Sequence, residues 1–120
     1  MAQGWGLSTP TLLNDTLERL GATLAPNDYT LTLRFWQEHL LDFPPPLLPG
    51  ARDVLVALRR QGYWIGLISD TGATPGRVMR QLLAAKGLLP LFDWMTFSDE
   101  IGITKMRPQA FYHTLRALGA

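Results

Sequence analysis

The sequence contains no cysteine. That excludes a disulfide framework, a thiolate nucleophile and a sulfur-ligated metal. Histidine is scarce as well: His39 and His113 are the only 2, too far apart in sequence for metal-ligand spacing. No uninterrupted apolar run approaches the roughly 18 residues that a membrane-spanning helix needs. The opening MAQGWGLSTP has neither the basic nor the apolar region of a signal peptide. An excess of one charge is also missing. The 11 Lys and Arg against 10 Asp and Glu leave a net +1, with no basic run, so neither nucleic acid nor an anionic membrane is an expected partner. A soluble, cytoplasmic protein is the expectation.

What is present suits a folded domain. The 120 residues are 47% hydrophobic and 18% charged, which argues against disorder and allows a real core. Ser8 or Thr9 can cap a first helix, Pro10 suits its first turn, and Leu13, Leu17 and Leu20 repeat at helical spacing before Gly21 stops it. A second helix is expected over 28–42, with Leu33, Trp36, Leu40 and Leu41 on its apolar face. The run FPPPLLPG over 43–50 is stiff and extended, since proline fixes its own backbone and restricts its neighbour. It marks a joint between a helical segment, 1–47, and an α/β segment, 48–120.

Beyond the joint, the pattern alternates. A helix over 51–62 turns Val54, Leu55 and Leu58 inward. The run YWIGLIS, 63–69, is apolar and rich in branched and aromatic residues, as a strand covered on both faces would be. Pro75 opens a helix with Val78, Met79, Leu82 and Leu83 inward, whose Arg77 and Arg80 read as a solvated face. DWMTFS, 93–98, is the second strand, and a last helix from Pro108 turns Phe111, Leu115 and Leu118 inward. His39 and His113 fall on helices as packing residues, and Trp5, Trp36, Trp64 and Trp94 as core or interface anchors. Strands alternating with helices imply an α/β fold with a small parallel sheet, a truncated Rossmann-like core carrying an N-terminal helical segment. Two strands leave exposed edges, so a homodimer that completes the sheet, or a rearranged core, is expected.

Ligands of open parallel sheets collect outside the carboxyl ends of the strands. Two polar clusters fall there. Ser69-Asp70-Thr71-Gly72 follows the first strand, where a hydroxyl and successive backbone N–H groups can grip a phosphate oxygen, helped by the next helix N-terminus. Ser98-Asp99-Glu100, with Lys105, follows the second, where the lysine can neutralise phosphate charge. Asp70 and Asp99, with Glu100 beside them, are the oxygen donors available to a divalent cation such as Mg2+. The plainer alternative is that Ser69, Thr71, Asp99 and Glu100 serve turns and caps.

These clusters carry a resemblance. ISDTG (68–72) resembles the second motif of the haloacid dehalogenase superfamily, and FSDEIGITK (97–105) resembles the stretch leading to its third. The match covers about 48–118, and 1–47 would correspond to part of the family's helical cap. The resemblance implies hydrolysis of a small phosphorylated substrate, with Ser69 bonding the phosphoryl group, Lys105 balancing its charge, and Thr71 and Gly72 shaping the loop. The family's first motif supplies two aspartates as Asp-x-Asp, and no such triplet occurs in these 120 residues. Its fourth, magnesium-holding motif is expected beyond the last residue here, and Lys105 is followed by Met106-Arg107-Pro108 rather than directly by proline. Asp70, at a strand end beside Ser69, is the candidate replacement nucleophile. Two readings therefore stand: a phosphatase-like hydrolase, and a catalytically silent remnant that binds or self-associates.

Overall fold

The computed structural model describes residues 6–120; the expectation for Trp5 lies outside them. Ser8 caps α1 (Thr9–Leu20), its hydroxyl facing the amide of Thr11. Thr9, relieved of capping, is buried, and its hydroxyl donates to the Ala73 carbonyl at 2.8 Å. Gly21 ends the helix in the left-handed conformation that a Cβ would disfavour. α2 (Pro26–Asp42) begins two residues earlier than the spacing suggested, because Pro26 suits a first turn and Thr30 returns its hydroxyl to the Pro26 carbonyl. No residue of α2 is fully buried. Its expected apolar face is only partly covered, and Leu41 is exposed.

α3 (Ala51–Arg60) is amphipathic but lightly docked. Val54, expected inward, is 58% exposed. The helix meets the body mainly at a 3-10 turn over Leu89–Leu91, tied by Arg52 to the Gly87 carbonyl at 3.0 Å and by Arg59 to Asp93 at 2.9 Å. Little apolar surface therefore needs to face inward.

The sheet has two strands, β1 (Gly66–Ser69) and β2 (Trp94–Phe97), paired in parallel with Gly66 opposite Trp94 and Ser69 opposite Phe97. Both are shorter than the apolar runs that announce them. Tyr63 and Trp64 stay largely exposed ahead of β1, where Asp93 accepts from the Ile65 amide at 2.7 Å and so starts the pairing with a side chain. α4 (Gly76–Ala85) crosses between the strands, a four-residue α5 (Ser98–Ile101) follows β2, and α6 (Pro108–Ala117) closes the order.

Alternation along each strand sends successive residues to opposite faces. Thr96 meets Thr114 of α6, hydroxyl to hydroxyl at 2.6 Å. Phe97, fully buried, lies on the other face beside the start of α4. The sheet is thus sandwiched, as a parallel pair should be. α6 departs from expectation: Phe111 and Leu115 are 48% and 47% exposed, while Ala110 and Thr114 are 1% and 4%. The cause is close approach. A Cβ on Gly66 would lie 3.0 Å from Thr114 Cγ2 and 3.1 Å from Leu118 Cδ1, so Thr114 and the expected Leu118 face the strand while Phe111 and Leu115 turn outward.

The whole is thin. Its axes measure 53 × 31 × 19 Å and its radius of gyration is 16.5 Å, against about 13.6 Å for a compact domain of this length. Among the described residues, no helix is long and apolar enough to cross a membrane.

Candidate functional site

Both polar clusters emerge at the same edge of the sheet, because parallel strands end on the same side and the register sets Ser69 beside Phe97. Ser98 and Asp99 therefore stand one step further along, level with the turn that leaves β1. The amide of Thr71 donates to Ser98 Oγ at 2.8 Å. Thr71 Oγ1 donates to Asp99 Oδ1 at 2.8 Å and accepts from the Asp99 amide at 3.1 Å. With that proton committed, the 3.1 Å contact between the two hydroxyls is donated by Ser98. Thr71 and Ser98 are both buried, and each polar atom named here has a partner, as burial demands.

Asp99 also receives a helix end. The Gly76 amide, at the start of α4, points at its carboxylate, 3.1 Å from Oδ1 and 3.2 Å from Oδ2. A carboxylate is favoured there, where the helix dipole is positive and the amides lack partners. Gly76 permits the approach: a Cβ would lie 2.8 Å from the Phe97 ring and 2.9 Å from Glu100 Oε2. Glu100 in turn holds Arg80 through two bonds of 2.6 and 2.8 Å, and the guanidinium sits 4.8 Å from the centre of the Phe97 ring. The carboxylate of Glu100 holds the Arg80 charge more firmly than usual, against the opposing effect of burial. Arg77 is likewise engaged, with Glu38 at 3.3 Å and Gln37 at 3.1 Å across to α2. Both arginines are thus ion-paired rather than simply solvated.

The remaining candidates form a second tie. Asp70 Oδ1 accepts from the Lys105 backbone amide at 2.8 Å, which brings the lysine's loop to the end of β1. Its other carboxylate oxygen makes no protein hydrogen bond among the described residues. Lys105 is exposed, and no ion pair involves it among those residues. Ser69 is half-buried and Gly72 exposed. The structure therefore brings Ser69, Asp70, Gly72 and Lys105 to one open rim. Thr71 belongs behind it as a strut, its amide and hydroxyl both spent on Ser98 and Asp99. The expected anion-attracting N-terminus of α4 is already filled by Asp99.

A divalent cation finds no ready cage. Among the described residues no group of three or more His, Asp or Glu side chains converges, and both oxygens of Asp99 face protein donors. The residues present do not fit a complete cation site. Concavities of similar size lie along α2 between Leu31 and Asp42, beside Trp64 and Leu118, and between Ile101, Ile103 and α6. The rim is an open edge rather than a closed pocket.

The sequence profile of the haloacid dehalogenase-like hydrolases matches residues 9–120. Phosphoglycolate phosphatase of Cupriavidus necator is 31% identical over 117 residues, covering 94% of this chain and 48% of that protein. Hexitol phosphatase B of Escherichia coli K12 is 29% identical over 80 residues, covering 67% and 35%. The crystal structure of a HAD phosphatase from Thermococcus onnurineus superposes with a TM-score of 0.60 at 24% identity, over 89% of this chain and 44% of that one; at that identity it speaks for the fold. This chain spans between about a third and a half of these proteins.

Proposed function

This chain belongs to the haloacid dehalogenase-like hydrolase family, and on that premise we propose that it is a phosphatase-like hydrolase of small phosphate monoesters. In the reaction, water adds across the P–O ester bond and releases an alcohol and inorganic phosphate. Ser69 donates to the phosphoryl group, Lys105 balances its negative charge, and Gly72 lets the backbone come close. One observation carries the reading: the 2.8 Å bond from the Lys105 amide to Asp70 joins the loops of both motifs at one rim. The phosphatases among the relatives support the substrate class. In this reading 1–47 acts as a cap-like segment over the 48–120 core, and the protein works in the cytoplasm.

Asp70, with one oxygen unbonded among the described residues, is the acidic group placed to assist. No step is assigned to a cation, because the described residues offer it no complete cage. The test is hydrolysis of a chromogenic phosphate monoester by highly purified protein, with Mg2+ and with chelator, alongside Lys105→Ala and Asp70→Asn. Loss of one preorganised charge-stabilising group lowers turnover by roughly 100- to 1,000-fold, and that is the expectation for Lys105→Ala. Turnover that is absent, or unchanged in both variants, sinks the hydrolase reading.

A second reading has its own support. Among the described residues the two-stranded sheet leaves a strand edge open on each side, and Trp64, Phe111 and Leu115 carry exposed apolar surface. A catalytically silent domain that pairs with a second copy through those strands accounts for both. Sedimentation at several concentrations decides it: a clean monomer throughout removes the pairing.

A further inference from the structure

The bonds behind the rim are directed at one carboxylate, and their geometry has a consequence for the rim itself. Asp99 takes the Thr71 hydroxyl and the Gly76 amide, at 2.8 and 3.1 Å on the same oxygen. Those two donors lie at either end of the turn 71–76. Ser98 fixes the Thr71 amide, and Thr9 reaches across from α1 to the Ala73 carbonyl. Everything that holds this turn therefore comes from outside it. The amides of Gly72, Ala73 and Thr74, by contrast, have no protein acceptor among the described residues. A turn with unspent donors, open to solvent at Gly72, is of use to a phosphate only if its shape is fixed beforehand.

We propose that Asp99 is a positioning residue, which acts through Thr71 and Gly76 to hold the 71–76 turn in the shape that presents Ser69 and Gly72 to a phosphate. The proposal rests on the phosphate-handling reading above, and it makes a prediction of unusual sign. Asp99 is an anion close to the place where another anion binds. Were charge its only influence, its removal would relieve repulsion and tighten phosphate binding. As a positioning group, its removal loosens binding despite that relief. Asparagine separates the two effects, because its carbonyl oxygen can still accept from both Thr71 and Gly76 while the charge is gone.

The experiment is a titration of the intact chain with inorganic phosphate, followed by amide NMR, for wild type, Asp99→Ala and Asp99→Asn. Amide hydrogen exchange at Thr71 and Gly76, the two hydrogen-bonded amides of the turn, is measured on the same samples. Loss of a charge-assisted hydrogen bond corresponds to about tenfold or more. Asp99→Ala is therefore expected to weaken phosphate binding about tenfold and to speed exchange in the turn by a similar factor. Asp99→Asn is expected to match wild type or bind more tightly. Should Asp99→Ala not fold, Thr71→Val is expected to reproduce its losses from the other end of the bond and Thr71→Ser to restore them. Phosphate binding that is unchanged or tighter in Asp99→Ala overturns the proposal, as does an Asp99→Asn protein as weak as the alanine variant. If wild type binds no phosphate, the phosphatase-like reading falls. Exchange in the turn then decides alone: acceleration in Asp99→Ala but not in Asp99→Asn leaves Asp99 as the group that holds the turn, and equal rates end that idea.

Discussion

The helical pair α1–α2 and the strand pair β1–β2 lie in one chain but are held by different physics. Around the strands, Val78, Leu82, Leu88, Phe97 and Ala110 are buried together with the hydroxyls of Thr71, Thr96, Ser98 and Thr114. In the helical pair Leu13 is the one buried apolar residue. Apart from the buried Thr9 hydroxyl on the Ala73 carbonyl, the pair's side-chain ties are polar and exposed, such as Tyr29 to Asn14 at 2.6 Å within it and Glu38 to Arg77 at 3.3 Å beyond it. Exposed ion pairs contribute little, because water solvates the separated charges almost as well. The lesson is that a long helix with a clear apolar periodicity can still be a surface attachment, whereas two four-residue strands can be the packed centre.

The contrast is open to attack, most forcefully at Phe97. Phe97→Ala should cost about 3–5 kcal/mol and melt the whole molecule, read by chemical denaturation. Leu13→Ala should cost about 2–5 kcal/mol locally, with faster hydrogen exchange in α1 and α2 and unchanged protection in β1 and β2. Equal loss in both regions would make them one cooperative unit and remove the distinction. Acid probes the polar ties. The Ile65 amide, and then Arg59, hold the Asp93 carboxyl below its usual range, and Arg34 does the same for Glu38 against the opposing effect of burial, with Arg77 adding to it. A carboxylate with a lowered folded pKa stabilises above its unfolded pKa and loses that contribution as pH falls through the folded value. Unfolding should therefore become easier below about pH 4, and Asp93→Asn should flatten that part of the curve. The smallest effect is expected from Arg77→Ala, which should leave the midpoint of denaturation nearly unmoved while speeding exchange in α2. A large shift of the midpoint would show that α2 is bound more firmly than its exposure implies.

Much of this architecture is legible in the residues. Gly21, the proline run after Phe43 and the apolar runs before Ser69 and Ser98 give the order of elements, and strand alternation with helices gives the parallel sheet. The strand ends likewise bring Asp70 and the Lys105 loop to one rim. What escapes a single sequence is register. Thr71, Ser98 and Asp99 look like turn residues in two unrelated loops, and only the pairing of Ser69 with Phe97 sets them against each other. The repeated Ser-Asp after each strand was the available signal. Packing distance escapes as well. Nothing in the periodicity of α6 says that Thr114 rather than Phe111 faces the strand, because the deciding residue is Gly66, nearly fifty positions earlier.

The hydroxyl of Thr9 and the carbonyl of Ala73 are 64 residues apart, and that separation has a meaning in time. Chains leave the ribosome from the amino end, so α1 emerges well before the turn that anchors it. At about 5–20 residues per second, the wait for Ala73 is roughly 3–13 s. During that interval the Thr9 hydroxyl lacks its Ala73 acceptor, and α1 packs instead on α2, which follows it closely in the chain. The β1–α4–β2 unit waits less than half as long, since Thr71 meets Ser98 after only 27 residues.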